Sequence, residues 1–256
     1  NLHLYITTNK NNLYHQTLEL IQNINPTQID IVTYERPIDY EKVINSTINK
    51  QNVGYLSFID PVCLSFSDRW LENLISMARN PGIGAVSPRL VYKNGLIHSC
   101  GIILGTNGIA NHLFNGAPQT GPDFYFGWAH LNKGYSALPR GCMIISRSNF
   151  NMVCGFDFDY QNENARMIDL CLKIKEHGLR NVTTPSANVI VNKAQTQAKI
   201  KPNGELIIVE EDKALLNTRW KNGFINDPAF NPNLTIYHGK PMVSKSHRDS
   251  TIKVKK

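Results

Sequence analysis

No stretch of this sequence stays apolar over the roughly 18 residues that a membrane-crossing helix requires, so a soluble, cytoplasmic chain, at most peripheral to a membrane, is expected. The opening residues lack the charged and apolar regions of a secretory leader; Leu2, Leu4 and Ile6 alternate with more polar residues, the period of a strand. Internal repeats and low-complexity segments are missing, which argues against solenoid and disordered classes. Cysteine is scarce: Cys63, Cys100, Cys142, Cys154 and Cys171 are odd in number and have no CxxC spacing. That excludes a disulfide framework and a CxxC zinc site, and leaves buried free thiols in a reducing compartment as the expectation. The net charge of +7 comes without any nucleic-acid-binding motif, so no nucleic-acid partner is expected.

What is present is enough for one substantial core: 256 residues, 41% of them hydrophobic, with no polar linker between them. The reading is one domain over residues 1–238 and a basic tail over 239–256 carrying Lys240, Lys245, Arg248, Lys253, Lys255 and Lys256. Such a tail reads either as a solvated end or as a contact for anionic lipid or another polyanion. A chain that begins on Asn1 at the edge of a strand suggests a piece cut from a larger polypeptide, so neighbouring domains are expected. The acceptor triplets at Asn45, Asn181 and Asn233 carry little weight in so Asn-rich a chain.

Along the chain, Leu13 to Ile24 has helical spacing and Ile29 to Tyr34 reads as a strand, a βαβ opening; Tyr40 to Ile48 marks another helix. The near-continuous apolar run from Val53 to Ile59 predicts a buried parallel strand ending at Asp60. Ser67 reads as the N-cap of a helix through Trp70, Leu71, Leu74, Ile75 and Ala78, closed by Asn80-Pro81-Gly82. Strands follow near Ala85, at Leu96 to Leu104 and at Tyr135 to Ile145. Between the last two lies a Gly- and aromatic-rich loop with His112, Phe114, Tyr125, Phe126 and Trp128, placed to cover a site. Met167, Leu170, Cys171 and Ile174 share a helical face ending at Gly178, before strands near Val182 and at Val189 to Val191. The pattern predicts an α/β sheet of mixed, mainly parallel direction flanked by helices.

Several phrases then stand out, in order along the chain. Trp70-Leu71-Glu72-Asn73-Leu74 precedes Asn80-Pro81-Gly82-Ile83-Gly84-Ala85-Val86-Ser87-Pro88-Arg89-Leu90; Gly155-Phe156-Asp157 and Asp169-Leu170-Cys171-Leu172-Lys173 follow; Arg219-Trp220 and Asp227-Pro228-Ala229-Phe230-Asn231-Pro232-Asn233-Leu234 close the set. Together these resemble the bacterial family-2 glycosyltransferases of surface-polysaccharide synthesis, rhamnosyltransferase-like enzymes included. The resemblance covers most of the chain and implies the GT-A nucleotide-diphospho-sugar transferase fold, a nucleotide-sugar donor, a glycan acceptor and a divalent cation, Mn or Mg.

Against that resemblance the chemistry is incomplete. The Asp-x-Asp loop reads Asp60-Pro61-Val62, and a valine cannot ligate a hard cation. Asp60 is left as the candidate metal and donor-binding residue, though an Asp-Pro pair at a strand end equally starts a turn. The phrase that supplies the general base reads Arg166-Met167-Ile168-Asp169, so Asp169, which also suits a helix cap, and Glu163 in a shifted register are the catalytic candidates. Lys193 stands where the family often places His residues and is a donor-side candidate that offsets phosphate charge, or a solvated loop lysine. The segment between Ile29 and Val53 is too short for the usual nucleotide-base pocket, with no Asp at the end of the strand. Asp157, Trp128 and Tyr125 are acceptor-side candidates; aromatic rings in such a loop serve a sugar or the core. His98 and His112 read as loop or partly buried histidines, since neither has a partner at ligand spacing, and Cys142 as a packed thiol.

Four losses beside intact structural phrases point to a glycosyltransferase-like domain with impaired or lost catalysis, acting as a structural or binding module in glycan assembly. The alternatives are an active, metal-independent hexosyl or deoxyhexosyl transferase using Asp60 with Glu163, Asp169 or Lys193, and a glycan-binding domain using Tyr125 and Trp128.

Overall fold

The structure, a computed structural model, describes residues 3–4, 28–29, 54–60, 62–106, 109–119, 125–201, 204–225, 227–237 and 240–244. The helices expected over 13–24 and 40–48, Asp30 and the segment 33–36 lie outside these residues, as does the tail from 245.

Two residues of β1 (His3–Leu4) pair in parallel with β2 (Gln28–Ile29), in keeping with the βαβ opening. The main sheet has the order β3 (Tyr55–Ile59), β10 (Cys142–Ser146), β5 (Ile83–Tyr92), β11 (Arg180–Val191), β4 (Cys63–Phe66). β6 (Ile97–Ser99) joins β5, and β9 (Lys133–Tyr135) joins β11. β5 and β11 run parallel, whereas β10 is antiparallel to both β3 and β5, and β4 is antiparallel to β11. The sheet is thus mixed, and among the described residues its ladders are mostly antiparallel. Among the described residues β3 is half buried and pairs with β10, antiparallel. β5 is buried at every position, as a strand covered on both faces must be.

Helix α1 (Trp70–Ala78) packs Trp70 and Leu74 against one face of the sheet. Fully burying a side chain such as Leu74 stabilises the fold by about 2 kcal/mol. Ser67 does not cap this helix. Its N–H donates to Asn188 O at 2.9 Å and its hydroxyl accepts from Asn188 N at 3.0 Å, so pairing with β11 takes the group that would cap, and Arg69 enters the helix at φ 56 with no side-chain cap. The opposite face carries α2 (Arg147–Met152), capped by Ser146, and α3 (Glu163–Glu176), capped by Asn162. α3 buries Met167, Ile168, Leu170, Cys171 and Ile174 beneath α5 (Glu210–Ile225), which is kinked at Trp220. α4 (Lys193–Gln197) follows β11 directly.

The two strands expected near Val182 and Val189 are one strand, β11, whose register against β5 jumps between Thr184 and Asn188. β7 (Ile102–Leu104) and β8 (Ala110–His112) form a hairpin, as do β12 (Leu234–Tyr237) and β13 (Lys240–Val243). The expected boundary between domain and tail, at 238 and 239, lies outside the described residues. Four cysteines are buried free thiols, Cys142 among them, and Cys154 is exposed.

Candidate functional site

Pairing of β3 with β10 determines what Asp60 meets. The ladder matches Ile59 with Cys142, and one step on, Asp60 N–H donates to Gly141 O at 2.9 Å. Arg140 is the next residue of that strand's approach, and its guanidinium grips Asp60 Oδ2 with one terminal nitrogen and Glu163 Oε2 with the other. Asp60 Oδ1 accepts from Val62 N at 2.9 Å, the turn its Asp-Pro pair implies. Lys199 approaches Asp60 Oδ2 at 3.7 Å. Both oxygens of this carboxylate, 6% exposed, are therefore engaged.

Glu163 opens α3. Its position is fixed from below by Asp212 in the first turn of α5, which accepts from Gln161 N at 3.0 Å and Asn162 N at 2.6 Å. The Glu163 side chain remains 47% exposed. Two cavities adjoin this cluster and share Arg140, Asn164 and Lys199 as walls. The smaller, of about 30 Å³, reaches Asp60, His98 and His112; the larger, of about 220 Å³, is bounded by Asn162, Glu163, Ala198 and Ile207. Burial lowers the Lys199 ammonium below its ordinary pKa; Asp60 opposes this and the like charge of Arg140 adds to it.

The other candidates lie apart from these cavities. Asp169 is not a cap: it sits inside α3 with no exposure, bound to Lys173 Nζ at 2.7 Å, Trp220 Nε1 at 3.0 Å and Tyr160 OH at 3.4 Å. Met167 is packed in the core. Lys193, the first residue of α4, is exposed and holds its ammonium 5.8 Å from the centre of the Tyr92 ring. Asp157 pairs with Arg219 and accepts from Asp159 N at 2.8 Å. Burial would raise its pKa, but the backbone bond and Arg219 more than offset that and hold it below the ordinary carboxylate value. Tyr125 begins the 3-10 turn Tyr125–His130, and its side chain lies outside the described residues. Trp128, in the same turn, carries the Lys133 ammonium over its face at 3.5 Å and packs against Phe114 and Phe230. His98 and His112 are buried rather than partly buried, ring against ring.

A metal-dependent sugar transferase of this architecture needs a divalent cation on donor-side carboxylates. The residues present do not fit one. Asp60 already holds two cations and a backbone N–H, and Val62 turns into the core. Among the described residues no group of three or more His, Cys, Asp or Glu is disposed around a metal position. Arg140 and Lys199 are the residues that sequence reasoning missed. The available signal was Arg140 itself, a lone charge between Ala137-Leu138 and Cys142-Met143, where burial demands a partner.

The mixed sheet with its flanking helices is similar to the GT-A class of fold. Accordingly, the structure superposes on GalNAc-T7, solved with UDP, GalNAc and Mn2+, with a TM-score of 0.52 at 12% identity, over 74% of this chain and 37% of that one. In sequence, the chain is 24% identical over 90% of its length to the O-antigen biosynthesis protein RfbC of Myxococcus xanthus. It is 26% identical over 82% of its length to the uncharacterized protein y4gI of Sinorhizobium fredii. It spans 18% and 23% of those two proteins. No protein-family model matches it. The chain is thus glycosyltransferase-like in fold and distantly homologous to a polysaccharide-biosynthesis protein.

Proposed function

We propose that this chain is a GT-A-like domain of a larger glycan-assembly protein that has lost metal-dependent sugar transfer and serves as a binding or structural module. The observation that carries this reading is the state of the candidate carboxylates. Asp169, the one acid remaining in the base phrase, is sealed in the core by three partners, and a base must reach the acceptor hydroxyl to act. Asp60 is neutralised by Arg140 and Lys199. That the chain spans about a fifth of its relatives' length supports neighbouring domains as partners. No described helix is long and apolar enough to cross a membrane. Contact of the basic segment beyond 244 with anionic lipid stays part of the proposal.

The test is incubation of the chain with UDP-, GDP- and dTDP-sugars and a glycan acceptor, with Mn2+ present, following release of nucleotide. No release above the buffer rate is expected; release that Asp60→Ala abolishes would sink the proposal. One observation favours a second reading, an active metal-independent transferase: Glu163 is half-exposed and lines the larger cavity beside Arg140. In that case Glu163→Gln removes turnover while nucleotide binding persists.

A further inference from the structure

Asp60 and Glu163 come from segments a hundred residues apart, and Arg140 joins them with one guanidinium nitrogen on each. Lys199 is the second cation of the cluster. Two carboxylates around a divalent metal ion make a neutral set, and two carboxylates around a guanidinium and an ammonium make the same neutral set. The charges that a metal would bring to this place are built into the chain.

The two cations are not exhausted by their partners. A guanidinium carries five N–H donors in a planar fork suited to carboxylate and phosphate oxygens, and an ammonium carries three. The Lys199 side chain is 45% exposed and its pairing with Asp60 is loose, at 3.7 Å. Both cations wall the cavity of about 220 Å³, together with the amide side chains of Asn162 and Asn164. Of the two carboxylates, Asp60 is fixed at 6% exposure, whereas Glu163, at 47%, is the one an incoming anion displaces into solvent.

We propose that Arg140 and Lys199 replace the divalent cation of a GT-A donor site, so that this cavity takes the diphosphate of a nucleoside diphosphate without metal. The inference rests on the reading of Asp60 as the donor-side carboxylate, but not on whether sugar is transferred.

The experiment is calorimetric titration of the chain with UDP, GDP, dTDP and inorganic pyrophosphate, each in excess EDTA and again in Mn2+. At least one nucleoside diphosphate binds in EDTA as tightly as in Mn2+ and more tightly than pyrophosphate. Lys199→Met and Arg140→Gln each weaken binding by about tenfold or more, and Glu163→Gln, which removes the competing carboxylate, tightens it. Should Arg140→Gln not fold, as circular dichroism will show, Lys199→Met at an exposed side chain decides the matter. Silence of all four ligands in EDTA, binding that needs Mn2+, or binding indifferent to Lys199→Met overturns the inference. Pyrophosphate binding as well as any nucleotide overturns the nucleoside assignment. Sugar turnover in EDTA overturns the reading as a binding or structural module and leaves this inference intact, so the two fail separately.

Discussion

His98 and His112 lie with their ring centroids 4.5 Å apart, beneath the cavity that leads to Asp60, Arg140 and Lys199. His98 Nδ1 is 2.9 Å from the Tyr92 hydroxyl, whereas His112 Nδ1 is buried with no hydrogen-bond partner among the described residues. Burial pushes His98 down to about 3, and burial with the neighbouring His98 pushes His112 well below its ordinary value. Both stay neutral in the folded protein where an unfolded histidine, near 6.5, takes a proton. The unfolded chain therefore binds more protons below about pH 6.5, and stability falls as pH falls from there toward 3. Each histidine contributes a slope of about 1.4 kcal/mol per pH unit once below about pH 6. Urea midpoints measured from pH 7.5 to 4.5 should fall accordingly, and His112→Phe should flatten the profile; an equally steep profile in that variant would rule the pair out as its source. At this scale the sequence exposed Asp60 and Glu163, because a motif is a local pattern. Arg140 and Lys199 escaped it because their meeting with Asp60 depends on the register of β10 against β3 and on where α4 ends, which is information no single segment holds.

Between elements, the turn after β7 runs close to the main chain of α5. Gly105, at φ +68, follows β7, and a Cβ there would lie 1.8 Å from the carbonyl oxygen of Phe224. Main chain cannot yield as a side-chain tip can. Gly105→Ala should therefore cost roughly 3 kcal/mol from the left-handed backbone and the displaced helix, read as a lowered urea midpoint; a change below about 1 kcal/mol would mean that α5 slides freely. An element with strong periodicity was legible in advance, α3 through Met167, Leu170, Cys171 and Ile174, whereas of β5 only a strand near Ala85 was expected. β4 was not, since Cys63–Phe66 is too short to carry a period. The cap of α1 was misread because Ser67 has a tertiary partner in Asn188 that outbids a local one.

Across the whole molecule, Asp227 fastens segments far apart in sequence. With no exposure, it accepts from Leu104 N at 2.8 Å, from Ala229 N at 2.8 Å and from the Ser136 hydroxyl, which in turn takes Lys175 Nζ at 2.6 Å. Asp227→Ala would leave the Leu104 and Ala229 N–H groups and the Ser136 hydroxyl without their acceptor, and Lys175 without the negative charge beside it, a loss of about 3–5 kcal/mol. Thermal unfolding should shift down markedly, and a shift no larger than that of an exposed Asp→Ala would refute this role. The Asp227-Pro228 phrase was visible in the sequence as part of a signature; that its carboxylate fastens β7 and the approach to β10 was not.

β11 serves two sets of neighbours: Asn181 to Thr183 pair with β9, and Val189 to Val191 pair with β4, while β5 runs along both. The three residues between Thr184 and Asn188 pair with nothing on β5. Each half of the strand therefore keeps its own phase. Gaining a residue within 185–187 leaves inward and outward side chains where they were, whereas gaining one at Val182 or Val189 reverses every side chain beyond it. Length changes in descendants of this chain have a natural place to accumulate in the middle of its central sheet.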